Sequence, residues 1–266
     1  MLSLNGQGSR DVMPYLSPAN FRIFAHRGST EGGAIENTYK AFEFASKNGL
    51  VFMETDIQAT ADGAAVIFHD KDAVRILGVN QKISELSLHQ LQSLASDKGF
   101  QVPTLLEILV RFPNLKFNID FKSDEAVAPG IEAIRNTKAQ DRVLVSSFSR
   151  RRRLRALELL PHVATSADAI TLLMIWITYK LRLEALFKRL CDSIQAIQIP
   201  VRFGLVRFDN QGFIKAVSQL GVEVHFWTIN EYQQALQLHR MGARGIVTDQ
   251  SKMMYERFRA DRIEIT

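Results

Sequence analysis

With 266 residues, 46% of them apolar and 23% charged, the chain has the composition of an ordinary folded domain, large enough to bury a core without disulfides or metal. Its single cysteine, Cys191, excludes an intrachain disulfide framework. A net charge of +5 suits anionic substrates or surfaces, but no helix-turn-helix, zinc-finger or base-stacking pattern accompanies it, so nucleic acid is not an expected partner.

Residues 1–20 lack the charged start and continuous apolar stretch of a secretory signal and read as a loose arm ahead of a single domain, 21–266. Short apolar or β-branched runs then alternate with helix-period segments. Strands are expected at 21–25, 51–57, 65–68, 115–121, 143–148, 162–165, 196–199, 222–229 and 245–248. Helices are expected at 39–48 and 211–220 among others, each of these two followed by a glycine placed as a stop, Gly49 or Gly221. Strand–helix alternation of this kind implies parallel strands joined by crossover helices.

Nine strands are one too many for an eight-stranded barrel. The link at 58–64 is too short for a parallel crossover and contains Asp62-Gly63, a tight-turn signal. The second and third runs therefore read as an antiparallel hairpin rising from the barrel rim, with His69 across from Asp56. Eight strands remain, and the length is close to the roughly 250 residues such folds need. The expected architecture is an α/β fold, a (β/α)8 TIM barrel with a small insertion, about 60–103, after the second barrel strand. Within the insertion 84–94 reads as a short helix with Ser87 a candidate N-cap, and Pro103 and Thr104 lead into a helix beginning near Leu105.

The arginine run at 150–153 reads as a solvated helix start. The most apolar run, 169–179, is far short of the roughly 20 residues that span a bilayer. A cytoplasmic protein is expected, with peripheral membrane contact through 169–190 left open. That segment has two readings: a core-facing crossover helix, or a greasy, basic lip that touches membrane or an acyl chain.

Catalytic groups of an α/β barrel lie at the C-terminal ends of its strands. Those ends carry His26-Arg27-Gly28, Glu54-Thr55-Asp56, Asp120-Phe121-Lys122, Ser146-Ser147-Phe148, the segment from Trp227 to Asn230, and Asp249, while the hairpin returns His69-Asp70 to the same rim. Glu54 and Asp56 are two apart on a strand, so they face the same way and repel unless a cation lies between them. Oxygen-only ligands suit a hard ion, Mg²⁺ or Ca²⁺. Asp120 and Lys122 repeat the spacing, adding a carboxylate and a cation. His26 and His69 are the imidazoles placed for proton transfer; Arg27 and Lys122 are cationic donors for a phosphate. His89, His162 and His239 read as structural and His225 as a barrel-wall or packing residue.

F-A-H-R-G (24–28), E-N-T (36–38), E-T-D (54–56), D-G-x-x-V-I-F-H-D (62–70), F-W-T-I-N (226–230) and G-I-V-T-D (245–249) together resemble the glycerophosphodiester phosphodiesterase family, over about 21–250. The resemblance implies an α/β barrel, a divalent metal, and cleavage of a small-molecule glycerophosphodiester to glycerol 3-phosphate and an alcohol. It implies His26 and His69 as the acid–base pair, Arg27 and Lys122 as phosphate ligands, and Glu54, Asp56 and Asp120 as metal ligands. Trp227 would pack against the glycerol; Glu36 would organise the mouth, a direct contribution to the metal or substrate being the alternative. Two departures stand out: Asp120 where the family usually has Glu, and Ile35 where it usually has Pro. Alternative readings are lysophospholipase D-like hydrolysis of lysolipids at a membrane surface, a phosphoinositide-type phospholipase C, which the motifs match less well, and a non-catalytic barrel that only binds phosphate esters.

Overall fold

A computed structural model describes residues 13–266. In chain order its elements begin with β1 (Arg22–Ala25), α1 (Tyr39–Lys47), β2 (Phe52–Ala59), β3 (Ala65–Ile67), α2 (Val74–Leu77), α3 (Leu88–Ser96), α4 (Leu105–Arg111) and β4 (Lys116–Phe121). Then come α5 (Val127–Asn136), β5 (Val143–Ser146), α6 (Arg150–Leu159), β6 (Ala164–Thr165), α7 (Ala169–Lys180), α8 (Glu184–Cys191) and β7 (Ala196–Ile199). The chain finishes with β8 (Arg202–Phe203), β9 (Val206–Arg207), α9 (Gln211–Ser218), β10 (Glu223–Phe226), α10 (Tyr232–Met241), β11 (Gly245–Thr248) and α11 (Ser251–Ala260).

Eight of these strands form a parallel sheet in the order β6-β5-β4-β2-β1-β11-β10-β7. Its two ends meet, because Ser166 bridges Ala196 in parallel and Gln195 donates to the Thr165 carbonyl at 2.9 Å. The barrel expected from the sequence is therefore present, and its strands are buried on both faces, as crossover helices require. The interior is packed: Phe24 lies 5.2 Å from Phe52 and 4.9 Å from His225, beside Leu144, Ala164, Ala196 and Val247. His225 is thus a wall residue, paired with Glu223 at 2.9 Å.

β3 pairs antiparallel with β2, as the Asp62-Gly63 signal implies. The register differs by one residue from the expected one. Phe68 N donates to the Asp56 carbonyl, so Phe68, not His69, stands opposite Asp56. The cause is the turn. Thr60 closes on Ala64 across Ala61, Asp62 and Gly63, with Gly63 at φ +82°, so the loop has one residue more than a two-residue turn. The insertion that follows has a small core of its own around Val66, Phe68, Leu77, Leu91 and Val102. Ser87 and Thr104 cap α3 and α4, each in a reciprocal capping box.

Within the expected arm, residues 13–20 close the N-terminal end of the barrel; 1–12 lie outside the described residues. Tyr15 and Leu16 are buried there, Arg22 donates to the carbonyls of Leu16, Pro18 and Asn20, and Lys116 donates to those of Pro14, Tyr15 and Ser17. In the segment at 169–190, α7 has one face turned to the core and another exposed. Thr171, Ile175 and Thr178 turn to the core, whereas Ile170, Leu173 and Ile177 are exposed. Among the described residues no helix is long and apolar enough to cross a membrane.

Candidate active site

The mouth is built where β1, β2, β4, β10 and β11 end. His26 follows β1, and its main-chain N–H donates to the Thr248 carbonyl, which sets it beside β11. Its Nδ1 lies 2.6 Å from Asp249 Oδ1, and its Nε2 lies 3.9 Å from Glu54 Oε2. Asn230 fixes that carboxylate, donating to Asp249 Oδ2 at 2.8 Å and accepting from Asp249 N at 2.9 Å. Burial works against the charged imidazole, but the Asp249 hydrogen bond and the Glu54 charge outweigh it and raise the His26 pKa. The same hydrogen bond holds the Asp249 carboxyl below its ordinary range.

The glycine of H-R-G has a steric reason. Gly28 sits at φ +79°, and a Cβ there would meet Ala41 Cβ at 2.8 Å and Ala41 C at 2.9 Å. That close approach seats α1 under the mouth. Arg27, itself at φ +53°, donates from its main chain to Glu54 Oε2 at 3.1 Å and from Nη1 to Glu36 Oε1 at 2.9 Å. Its buried Nε, 3.5 Å from Asp56 Oδ2, has no hydrogen-bond partner. The E-N-T residues divide the work of the loop. Glu36 holds Arg27; Asn37 donates to Asp56 Oδ2 at 3.2 Å and accepts from Thr55 Oγ1 at 2.8 Å; Thr38 caps α1.

Asp56 and Asp120 are direct partners in the β2–β4 register, one position short of the end of that pairing. Lys122 Nζ bridges them, at 2.9 Å from Asp56 Oδ1 and 2.7 Å from Asp120 Oδ2. Burial and the neighbouring Asp56 charge push the Glu54 carboxyl up to about 8, and burial also raises Asp120. Burial opposes ionisation of Asp56 as well, yet Lys122, His69 and Arg27 together hold it below its ordinary value. Burial disfavours the Lys122 ammonium, but the two aspartates raise its pKa well above the usual.

The donor set is what a hard divalent ion needs. All donors are carboxylate oxygens, Asp120 Oδ1 is buried without a hydrogen-bond partner, and Glu54 is a carboxyl whose charge burial and Asp56 disfavour. Among the described residues no three ligand-type side chains stand close enough to enclose an ion, and the ammonium of Lys122 occupies the bridging position between Asp56 and Asp120. The chemistry of the residues fits a cation, and in this arrangement Lys122 neutralises the two aspartates.

His69 comes in just after β3, the returning arm of the hairpin. Its Nδ1 lies 2.7 Å from Asp70 Oδ1, and Gln58 Nε2 holds the Asp70 carbonyl at 3.1 Å. Arg75 on α2 donates from Nε to Asp70 Oδ2 at 2.6 Å and through both terminal nitrogens to Glu36 at 2.9 and 2.6 Å. One guanidinium thus ties the insertion to the loop that holds Arg27. Trp227 stands across the mouth, edge-on to Phe148 at 6.0 Å, and Lys122 Nζ lies 5.9 Å from the Phe148 ring centre.

The nine residues singled out in the sequence therefore form one connected cluster, with Trp227 joined to it through Phe148. Sequence reasoning missed the parts played by Asp249, Asn230, Arg75 and Phe148. Asp249 and Asn230 stand within the motif segments, a signal that could have found them; Arg75 has none.

A model of the glycerophosphoryl diester phosphodiesterase family matches residues 26–253. The chain is 32% identical over 248 residues to the probable glycerophosphodiester phosphodiesterase 2 of Mycobacterium tuberculosis, covering 93% of this chain and 94% of that one. It is 26% identical to the Homo sapiens lysophospholipase D GDPD1 over 85% of this chain and 82% of the other. Its fold is similar to a solved structure from Silicibacter pomeroyi, with a TM-score of 0.78 at 19% identity, covering 96% of this chain and 100% of that one. It is also similar to an Oleispira antarctica phosphodiesterase in complex with the product sn-glycerol-3-phosphate, with a TM-score of 0.71 at 24% identity, covering 89% and 96%.

Proposed function

The chain belongs to the glycerophosphoryl diester phosphodiesterase family, and we propose that it hydrolyses glycerophosphodiesters to sn-glycerol 3-phosphate and an alcohol, with 21–266 as one catalytic domain. The observation that carries this reading is the pair of carboxylate-held imidazoles, His26 on Asp249 at 2.6 Å and His69 on Asp70 at 2.7 Å, set around Arg27, Glu54, Asp56 and Lys122. An imidazole held at Nδ1 presents Nε2 for proton transfer.

In this reading one histidine takes the proton of the nucleophile, either water or the glycerol hydroxyl next to the phosphate. The new phosphorus–oxygen bond forms as the bond to the departing alcohol breaks, and the other histidine gives that oxygen its proton. If the glycerol hydroxyl attacks first, water then opens the cyclic phosphate by the same exchange. Arg27, whose Nε is unsatisfied, and Lys122 bind the phosphate oxygens. Glu54, Asp56 and Asp120 would hold a divalent ion, Mg²⁺ or Ca²⁺, which neutralises phosphate charge when bound. Trp227 packs against the glycerol end, and Glu36 organises the mouth by holding Arg27 and Arg75.

The second reading is lysophospholipase D-like hydrolysis. Phe148 favours it, an aromatic ring at the mouth that is 61% exposed and free to meet an acyl chain. A barrel that binds phosphate esters without cleaving them has less support, since both histidines keep carboxylate partners.

The test is release of glycerol 3-phosphate from glycerophosphocholine with and without EDTA, alongside choline release from lysophosphatidylcholine. EDTA-sensitive turnover of the water-soluble diester is the expected result. Turnover of the lysolipid alone selects the second reading, and activity on neither with Mg²⁺, Ca²⁺ and Mn²⁺ supplied defeats both.

A further inference from the structure

The end of the barrel that bears the mouth is not uniform. The segments after β5, β6 and β7 expose large apolar side chains: Phe148 (61%), Ile170 (54%) and Leu173 (56%) on α7, Phe203 (74%) on β8 and Leu205 (93%). These segments are physically continuous. The Phe148 carbonyl accepts from Ala169 N at the start of α7. Phe208, directly after the β8–β9 hairpin, packs edge-on against Trp176 of α7 at 5.0 Å. The hairpin is therefore anchored at its base, and its tip stands largely exposed among the described residues.

An apolar side chain as exposed as Leu205 has no folding role to repay its hydration. Side chains this exposed on a hairpin tip suit a soft, deformable phase better than a shaped protein groove. Its surroundings are basic. Arg202 and Arg207 lie in the two hairpin strands, Arg150 and Arg151 follow Phe148, and all four are exposed, Arg207 being paired with Asp209 and Arg151 with Asp124. Apolar side chains that insert beside arginines that stay in the headgroup layer are the pattern of a protein that lies on an anionic bilayer.

We propose that Phe148, Ile170, Leu173 and the hairpin tip with Phe203 and Leu205 form a docking surface for an anionic lipid bilayer, which sets the mouth against the membrane. The proposal deepens the functional reading by naming where a lipid-borne phosphodiester would enter, and it rests on that reading only for this consequence; bilayer binding itself is independent of turnover.

The experiment compares the full chain with a double variant, Phe203→Glu with Leu205→Glu, in sedimentation with vesicles of phosphatidylcholine with and without phosphatidylglycerol. Neither residue touches the mouth cluster, so hydrolysis of glycerophosphocholine should be unchanged and reports correct folding. The expected result is binding to the phosphatidylglycerol vesicles that exceeds binding to the neutral ones and falls by about tenfold or more in the double variant. No binding by the parent chain, or equal binding by parent and variant, overturns the proposal. So does a dimer in light scattering that the double variant abolishes, since the surface then belongs to a second copy. Vesicle binding by a chain that cleaves neither test substrate would defeat the functional reading and leave the docking surface standing.

Discussion

His26 and Asp249 lie 223 positions apart in the chain and 2.6 Å apart at the mouth, joined Nδ1 to Oδ1. Parallel pairing of β1 with β11 produces the contact: Ala25 is the register partner of Thr248, so the next residue of each strand emerges side by side. The barrel closes its first strand on its last, and the histidine of the first motif receives its carboxylate from the final one.

Replacing Asp249 with Asn should therefore impair catalysis without removing a group that touches substrate. A neutral amide cannot stabilise the imidazolium, and kcat should fall by about 10–100-fold, an effect typical of lost orienting partners. The sign of the accompanying pH effect follows from the cause. The Asp249 hydrogen bond raises the His26 pKa, so its loss lets the proton leave at lower pH, and the corresponding limb of the kcat/KM profile should move to lower pH. A profile identical to that of the parent would show that the contact does not govern His26. By contrast, His26→Ala and His69→Ala should each lose about 10²–10⁴-fold, as general acids or bases do.

Arg75 is the second positioning residue. It grips Asp70 and Glu36 at once, and through them His69 and Arg27. Its side chain is 47% exposed, so the ion pairs themselves add little stability. Arg75→Ala should leave Tm nearly unchanged while lowering kcat/KM by about tenfold, and Arg75→Lys should restore little, because one ammonium cannot reproduce the three separate nitrogens with which the guanidinium holds Asp70 and Glu36. A large drop in Tm with catalysis intact would make the residue a structural tie only.

Much of this was legible in the sequence because the signals were local. Strand spacing alone placed Glu54 and Asp56 on one face, and β-branched runs buried on both sides marked the barrel strands. The hairpin was legible from Asp62-Gly63, but its register was not, since a turn signal does not state how many residues lie outside the ladder. Contacts made across the barrel left no such trace. Nothing near Arg75 announces Glu36, 39 positions earlier. The β8–β9 hairpin escaped as well: Arg202, Phe203, Val206 and Arg207 show no alternation, because neither face of that ribbon is fully buried. Likewise nothing around Arg22 and Lys116 announces the carbonyls within residues 14–20 that they hold.

Gly28 tests the local steric argument. Gly28→Ala puts a Cβ 2.9 Å from the Ala41 carbonyl carbon and forces a left-handed backbone on an L-residue. The conformational part alone costs about 1–2 kcal/mol, and the clash adds to it because main chain cannot step aside. A total of about 2–3 kcal/mol, or roughly 4–12 °C in Tm, is expected in a thermal melt. Adding Ala41→Gly should recover only part of it, since the contact with the main-chain carbon remains.

Asp168 offers the cleanest pH dependence because it lies outside the mouth cluster. Its carboxylate is fully buried, accepts from Arg153 Nε at 2.8 Å, and caps α7 through Thr171 N at 2.9 Å. Burial opposes its ionisation, but the bonds from Thr171 and Arg153 prevail and hold its pKa below the ordinary value. The unfolded chain therefore takes up this proton more readily than the folded one. The stabilisation is complete above the unfolded pKa of about 3.9 and is lost as pH falls through the lower folded value. Asp168→Asn retains a cap but strands the Arg153 cation, and at neutral pH it should cost about 3–5 kcal/mol. In urea titrations the gap between parent and variant should be constant from neutral pH down to about 4 and narrow below that. A gap that stays the same at every pH would mean that the carboxylate charge contributes nothing, and that the loss comes from packing around the amide.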